Sequence, residues 1–135
     1  MQKIIIDANA ILRYILDDIK VQADSVESVL RDGNVLILPE VMAEVVYVLT
    51  KYYNQPRDTA VECLLEFLED ANCGSEVLRH AVETFGKSKY DFVDCLLYEY
   101  SKQADYKVFT FDKDLKSLLK HELVKINHIA KSMLR

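Results

Sequence analysis

Three consecutive isoleucines, Ile4-Ile5-Ile6, run without a polar residue among them and end directly in an aspartate, Asp7. A strand with one face in water alternates apolar and polar side chains, whereas an unbroken apolar run belongs to a strand covered on both faces. Val35-Leu36-Ile37-Leu38 reads the same way, as does Val108-Phe109-Thr110-Phe111. Strands of this kind are the inner members of a parallel sheet flanked by helices.

Helical periodicity fills the intervals. After Pro39, the residues Val41, Val45, Val48, Leu49 and Tyr52 recur at i, i+4, i+7, i+8 and i+11, which predicts an amphipathic helix of about four turns with proline at its start. Further helices are predicted over residues 10–17, 22–31, 58–70, 79–86, 91–104 and 113–120, punctuated by turn signals such as Asp32-Gly33-Asn34 and Asn72-Cys73-Gly74. Val77-Leu78 and Val124-Lys125-Ile126 are candidates for weak edge strands. Strands alternating with helices require crossover connections, so the expected fold class is α/β. The expected architecture is an open parallel sheet of four to five strands with helices on both faces, a three-layer sandwich formed by residues 1–135 as a single domain.

Composition narrows the function classes. Half the residues are hydrophobic, 29% are charged and only three are glycine, the balance of a globular chain with one core. No run approaches the roughly 18 to 20 apolar residues of a membrane span, so a soluble, unsecreted, cytoplasmic protein is expected. Cys63, Cys73 and Cys95 are odd in number and widely spaced, which fits reduced thiols and neither a disulfide framework nor a paired-cysteine zinc site. Acidic residues outnumber basic ones by 22 to 17, so any binding of nucleic acid must rest on local features.

The local features are carboxylates at element ends. Asp7 and Asp112 each follow an apolar run directly and should emerge at the carboxyl ends of parallel strands, the edge where open α/β sheets bind ligands. Were those strands neighbours, about 4.8 Å apart, both aspartates could reach one ion. Each also precedes a helical stretch and has the alternative role of a helix N-cap. Glu44 lies at the border of the buried stripe of its helix, with Glu40 one turn away and no lysine or arginine at i±3 or i±4, so its partner should come from elsewhere, Arg13 or a cation. In Tyr90-Asp91-Phe92-Val93-Asp94, Asp91 suits an N-cap, which leaves Asp94 in the first turn as the better ligand.

Ile5-Ile6-Asp7-Ala8-Asn9, Pro39-Glu40-Val41-Met42-Ala43-Glu44, Asp91-Phe92-Val93-Asp94 and Thr110-Phe111-Asp112-Lys113-Asp114 stand in order along the chain. Together they resemble the PIN-domain family, and their order and spacing look like the toxin nucleases of VapBC-type toxin–antitoxin pairs. The resemblance implies a divalent-metal-dependent ribonuclease whose acidic positions fall on Asp7, Glu44, Asp94 and Asp112, with Asn9 and Thr110 in supporting positions. It also implies an RNA substrate, a cognate antitoxin protein and a homodimer. Asp91 and Asp114 are extra carboxylates beside matched ones, and either can exchange roles with its neighbour.

Two carboxylates about 4 Å apart repel by roughly 4 kcal/mol at an effective dielectric of 20, so a cluster of four calls for a cation. An all-oxygen set selects Mg²⁺ or Mn²⁺ over zinc. His80, His121 and His128 show no metal-pair spacing and are assigned no catalytic part. Phosphodiester hydrolysis is the reaction such a site suits, with Arg13, Lys51, Lys87, Lys89 and Lys113 near the acidic motifs as candidate phosphate contacts. Exposed tyrosines among Tyr47, Tyr52, Tyr53, Tyr90 and Tyr98 could stack on single-stranded bases. Three alternatives stand beside this reading: a phosphatase of the haloacid-dehalogenase kind, a signalling receiver domain, and a non-catalytic RNA- or protein-binding module on the same fold. The first wants a second aspartate where Asn9 stands; the second wants an acidic pair after one strand and a phosphoacceptor aspartate later, whereas Val35 to Leu38 ends in Pro39-Glu40 with no such aspartate and no lysine follows the last strand in a suitable context.

Overall fold

The computed structural model describes residues 2–120. Strand β1, Ile4–Ile5, pairs in parallel with β2, Val35–Leu36, in the register Ile4 to Val35 and Ile5 to Leu36. The crossover between them carries two helices, α1 (Ala8–Leu16) and α2 (Lys20–Arg31). Gly33, at φ +74°, reverses the chain after α2 and donates its amide to Leu30 O at 3.0 Å, a left-handed turn that suits glycine.

Pro39 opens α3 (Pro39–Tyr47), as its fixed φ and missing amide favour at a first turn. The sequence periodicity runs on to Tyr52, and so does the helix, but its last part is a π-helical turn, Val48–Tyr52. The Tyr53 amide bonds back five residues to Val48 O at 3.0 Å, and the Thr50 hydroxyl takes Val46 O at 2.8 Å. Side-chain competition of that kind loosens an α-helical ladder. Then follow α4 (Arg57–Asp70), α5 (Glu76–Lys87) and α6 (Phe92–Ser101), and residues 113–120 are again helical.

Apolar faces at helical spacing build one main core. Ile11, Met42, Val45, Leu64, Phe67 and Val82 are its most enclosed members, with α1 packed on α2, α3 and α4, and α5 packed on α4 and α6. Each such side chain contributes roughly 1.5–3 kcal/mol by leaving water. A smaller cluster of Tyr98, Leu115 and Leu118 ties residues 113–120 to α6. Glu99 is buried on α6, where its carboxylate accepts from Thr84 Oγ1 of α5 at 2.9 Å and from Lys102 Nζ at 3.4 Å, so a polar joint backs the apolar one. All three cysteines are free, and burial pushes the Cys95 thiol up to about 11.

Three strand expectations are corrected. Val77 and Leu78 lie inside α5, because Ser75 caps the helix upstream of them and its hydroxyl accepts the Leu78 amide at 3.3 Å. Val108 to Phe111 form no strand among the described residues, and Phe109 and Phe111 stand 86% and 83% exposed. Cover on both faces of the first strand is likewise absent among those residues, for Ile5 is 60% exposed while Ile6 is buried. The sheet therefore has two described strands where four to five were expected. Val124 to Ile126 lie outside the described residues.

The approach of α4 to α5 at Gly86 predicts a measurable coupling. A Cβ built on Gly86 of α5 would stand 2.9 Å from a methyl of Val61 on α4, too near for the Val61 side chain and both helices all to stay in place. In a helix, alanine otherwise gains up to about 1 kcal/mol over glycine, while overpacking costs about 1–3 kcal/mol. Gly86→Ala should therefore leave the protein no more stable than wild type in urea denaturation, and Gly86→Ala with Val61→Ala should be more stable than Val61→Ala alone. Simple additivity of the two changes would refute the contact.

Candidate active site

Carboxylates come together at the start of α6. Asp91 occupies the N-cap position with extended backbone, and Asp94 lies in the first turn. Both line a cleft of 410 Å³ shared with Ala43, Val46 and Tyr47 of α3, Thr50 and Lys51 of the π-helical turn, and Arg57. The Asp94 carboxyl is held above the usual aspartate range, first by burial and then by the negative charges of Asp112, Asp91 and Asp114. Those four groups thus share one electrostatic neighbourhood. None of them is paired with a lysine, arginine or histidine among the described residues.

Capping divides the aspartates differently from expectation. Asp91 stands at the N-cap, yet its side chain makes no capping hydrogen bond. Asp7 does cap α1, accepting the Ala10 amide on Oδ1 at 2.8 Å. Asp112 caps residues 113–120, accepting the Leu115 amide on Oδ1 at 2.9 Å, and its own amide donates to Thr110 Oγ1 at 3.0 Å. In both caps Oδ2 accepts no hydrogen bond among the described residues, and one oxygen stays available for another role.

The remaining candidates are spread more widely. Glu44 is exposed on α3 and pairs with no cation among the described residues, while Asn9 is exposed on α1. Asp7 opens onto a separate apolar hollow formed by Ile4, Ile5 and Ala10 of the first strand and helix with Val26 and Val29 of α2. Among the described residues no three of His, Cys, Asp and Glu stand close enough to hold an ion together. The charges of Asp91, Asp112 and Asp114 all act on Asp94, and Asp91 and Asp94 share one cleft. Among the described residues, residues 108–111 pair with no strand, so the expected neighbour of β1 that would carry Asp112 beside Asp7 is not formed by them.

Of the basic candidates, Lys51 alone lines the cleft. Arg13 is engaged by Asp18 at 2.7 Å, and Lys87 borders a different hollow with Asp58, Glu62 and Glu83. Lys89 and Lys113 are exposed.

Arg57 is a residue that sequence reading missed. From the start of α4 its Nη1 donates to the carbonyls of Phe85, Ser88 and Tyr90 at 3.1, 3.0 and 2.7 Å, and Nη2 donates to Lys89 O at 3.2 Å. Its guanidinium lies 4.1 Å from the centre of the Phe85 ring, which in turn meets Phe92 edge-on at 6.1 Å. Its local surroundings, Gln55-Pro56-Arg57-Asp58, carry no signal of a contact so far along the chain.

A family model described as PIN domain matches residues 4–120, which takes in all four acidic segments. The chain belongs to the PIN-domain family. No curated protein and no solved structure matches it. PIN domains are α/β in class and are generally nucleases that use divalent metal ions and bind RNA. The α6 end of this PIN domain offers carboxylate oxygens, the donors a hard cation takes, and neither Asp91 nor Asp94 is ion-paired among the described residues although Lys51 and Arg57 line the same cleft. Among the described residues no helix is long and apolar enough to cross a membrane.

Asp94 supplies a test of that end. Its raised pKa means the folded state holds the proton more tightly than the unfolded chain, so the ionised form opposes folding. That opposition is full above the folded pKa and is lost as the pH falls toward the ordinary aspartate range near about 4. In chelator, Asp94→Asn should melt higher than wild type at neutral pH, and the gap should close on acidification. Millimolar Mn²⁺ should raise the wild-type melting temperature and leave the variant unmoved. A variant that melts lower than wild type at neutral pH in chelator would contradict the repulsion.

Proposed function

We propose that this PIN domain is an Mg²⁺- or Mn²⁺-dependent endoribonuclease that hydrolyses RNA phosphodiester bonds, and that it is the toxin of a toxin–antitoxin pair. The observation that carries the reading is the pair Asp91 and Asp94 in one cleft at the start of α6, bound to no cationic side chain among the described residues, within a chain of nuclease family. Asp94 and Asp7 are the proposed metal ligands, with Glu44 a further ligand or the base that takes the proton of the attacking water. Asp112 is a second-site or water-mediated ligand, while Asp91 and Asp114 stand ready to exchange with their neighbours. When bound, the cation lowers the pKa of a water and stabilises the leaving oxygen.

The chain's own residues do the rest. Thr110 orients Asp112 through its amide, and Lys51, in the same cleft as Asp94, attracts the phosphate backbone. In this reading residues 108–111 add a strand to the sheet beside β1, which covers Phe109, Phe111 and Ile5 and brings Asp112 toward Asp7. The exposed apolar side chains on both partners favour that step.

Cleavage of single-stranded RNA and DNA in Mg²⁺, Mn²⁺ and chelator tests the activity. RNA cleavage is expected with metal, and Asp7→Asn and Asp94→Asn should each lower it by at least about a hundredfold with the fold intact, as loss of several kcal/mol from a transition state requires. Unchanged cleavage in both variants would refute the assignment. The lack, among the described residues, of three acidic, histidine or cysteine side chains close enough to share an ion favours a second reading, a non-catalytic RNA-binding PIN module, which the same assay would reveal as RNA binding without turnover. Family membership leaves the phosphatase reading without support.

A toxin of this kind needs a protein partner, which would place a basic side chain against the acidic cleft, and the chain itself would pair as a homodimer. Analytical ultracentrifugation reads both. A dimer alone and a larger complex with the protein encoded beside it are expected, and a monomer indifferent to that protein would overturn both.

A further inference from the structure

The N-terminus of α6 lacks the lock that a helix start ordinarily has. An N-cap aspartate normally turns its carboxylate onto the backbone amides of the first turn, and Asp91 does not. Two like charges, Asp91 and Asp94, stand in that one uncapped turn, and both line the cleft. Something other than the cap must hold the turn in place.

Arg57 occupies the position to do so. Its four bonds fall on Phe85, Ser88, Lys89 and Tyr90, which are the last turn of α5 and the whole approach to Asp91. The residue just before Asp91 receives the shortest of them, 2.7 Å. Every bond goes to a backbone carbonyl, and no carboxylate accepts from Arg57, so the guanidinium fixes the path of the chain without an ion pair to the acidic groups. A lysine carries the same charge but has no planar fork to span several carbonyls at once, and it stacks less well on Phe85.

We infer that Arg57 is a positioning residue: by holding the α5–α6 connection through its carbonyls, it releases the Asp91 carboxylate from capping and sets Asp91 and Asp94 as a pair of cation ligands. This rests on the metal-dependent reading above. Groups that orient a metal ligand without touching the metal typically change affinity by about 10- to 100-fold when altered.

The test uses the full chain, with Arg57→Lys as the main variant and Phe85→Leu, which loosens the stack but keeps the four carbonyls, as the second. Two quantities are read at a temperature where circular dichroism shows each protein folded: amide hydrogen exchange over residues 88–95 without metal, and Mn²⁺ affinity by calorimetry. Arg57→Lys should exchange at least about tenfold faster over that stretch and bind Mn²⁺ at least about tenfold more weakly, with RNA cleavage recovering to within about threefold at saturating Mn²⁺. Phe85→Leu should move both readouts the same way by smaller factors.

Faster exchange with unchanged Mn²⁺ affinity would make Arg57 a structural clamp only and overturn the inference, as would unchanged exchange. Mn²⁺ binding that is lost in Asp94→Asn but kept in Arg57→Lys would sink the inference and spare the nuclease reading. Wild-type protein that takes up no Mn²⁺ would sink both.

Discussion

Like charge sets the terms at the start of α6. Asp94 feels Asp91, Asp112 and Asp114 at once, and no basic side chain among the described residues pairs with any of them. Asp94 alone of the four is half-buried, and its charge is the one that loses water on folding. The turn stays in place because its neighbours are fastened: Phe85 against Phe92, Glu99 to Thr84 across the same two helices, and the guanidinium of Arg57 along the connection. Rigidity supplied from outside allows the acidic residues to stay uncompensated, and that is the state a cation would relieve.

Much of the helical frame was legible in the residues, because each helix carries its own periodic signal. Val41, Val45, Leu49 and their neighbours announced the helix after Pro39 to within a residue of where it ends at Tyr52. Its widened last turn was not legible, since an apolar period of about 3.6 says nothing of a hydroxyl such as Thr50 taking a carbonyl. Val77-Leu78 misled because two apolar residues look alike in a strand and at a helix start; the cap three residues ahead of Leu78 was the better guide.

The site divides along the same line between local and distant causes. Four acidic segments were visible as strand ends and helix starts, and the cap geometry of Asp7 and Asp112 follows from the residues immediately after them. Capping and ligation need not compete, because each cap engages a single oxygen. Which carboxylates act on one another is a tertiary matter: the packing of Leu115 and Leu118 on Tyr98 ties residues 113–120 to α6, and the charge of Asp112 acts on Asp94. Arg57 was invisible for the same reason, since an arginine after a proline looks like any solvated helix start until the chain returns to it.

The π-helical turn at Val48–Tyr52 holds one residue more per hydrogen-bonded loop than the helix it continues. Each residue of an α-helix turns the chain by about 100°, so adding or removing one there would swing Lys51 and the approach to Arg57 round to another side. Surface loops absorb changes of length with little harm. This stretch should behave in the opposite manner, accepting exchanges of one side chain for another far more readily than an insertion or a deletion.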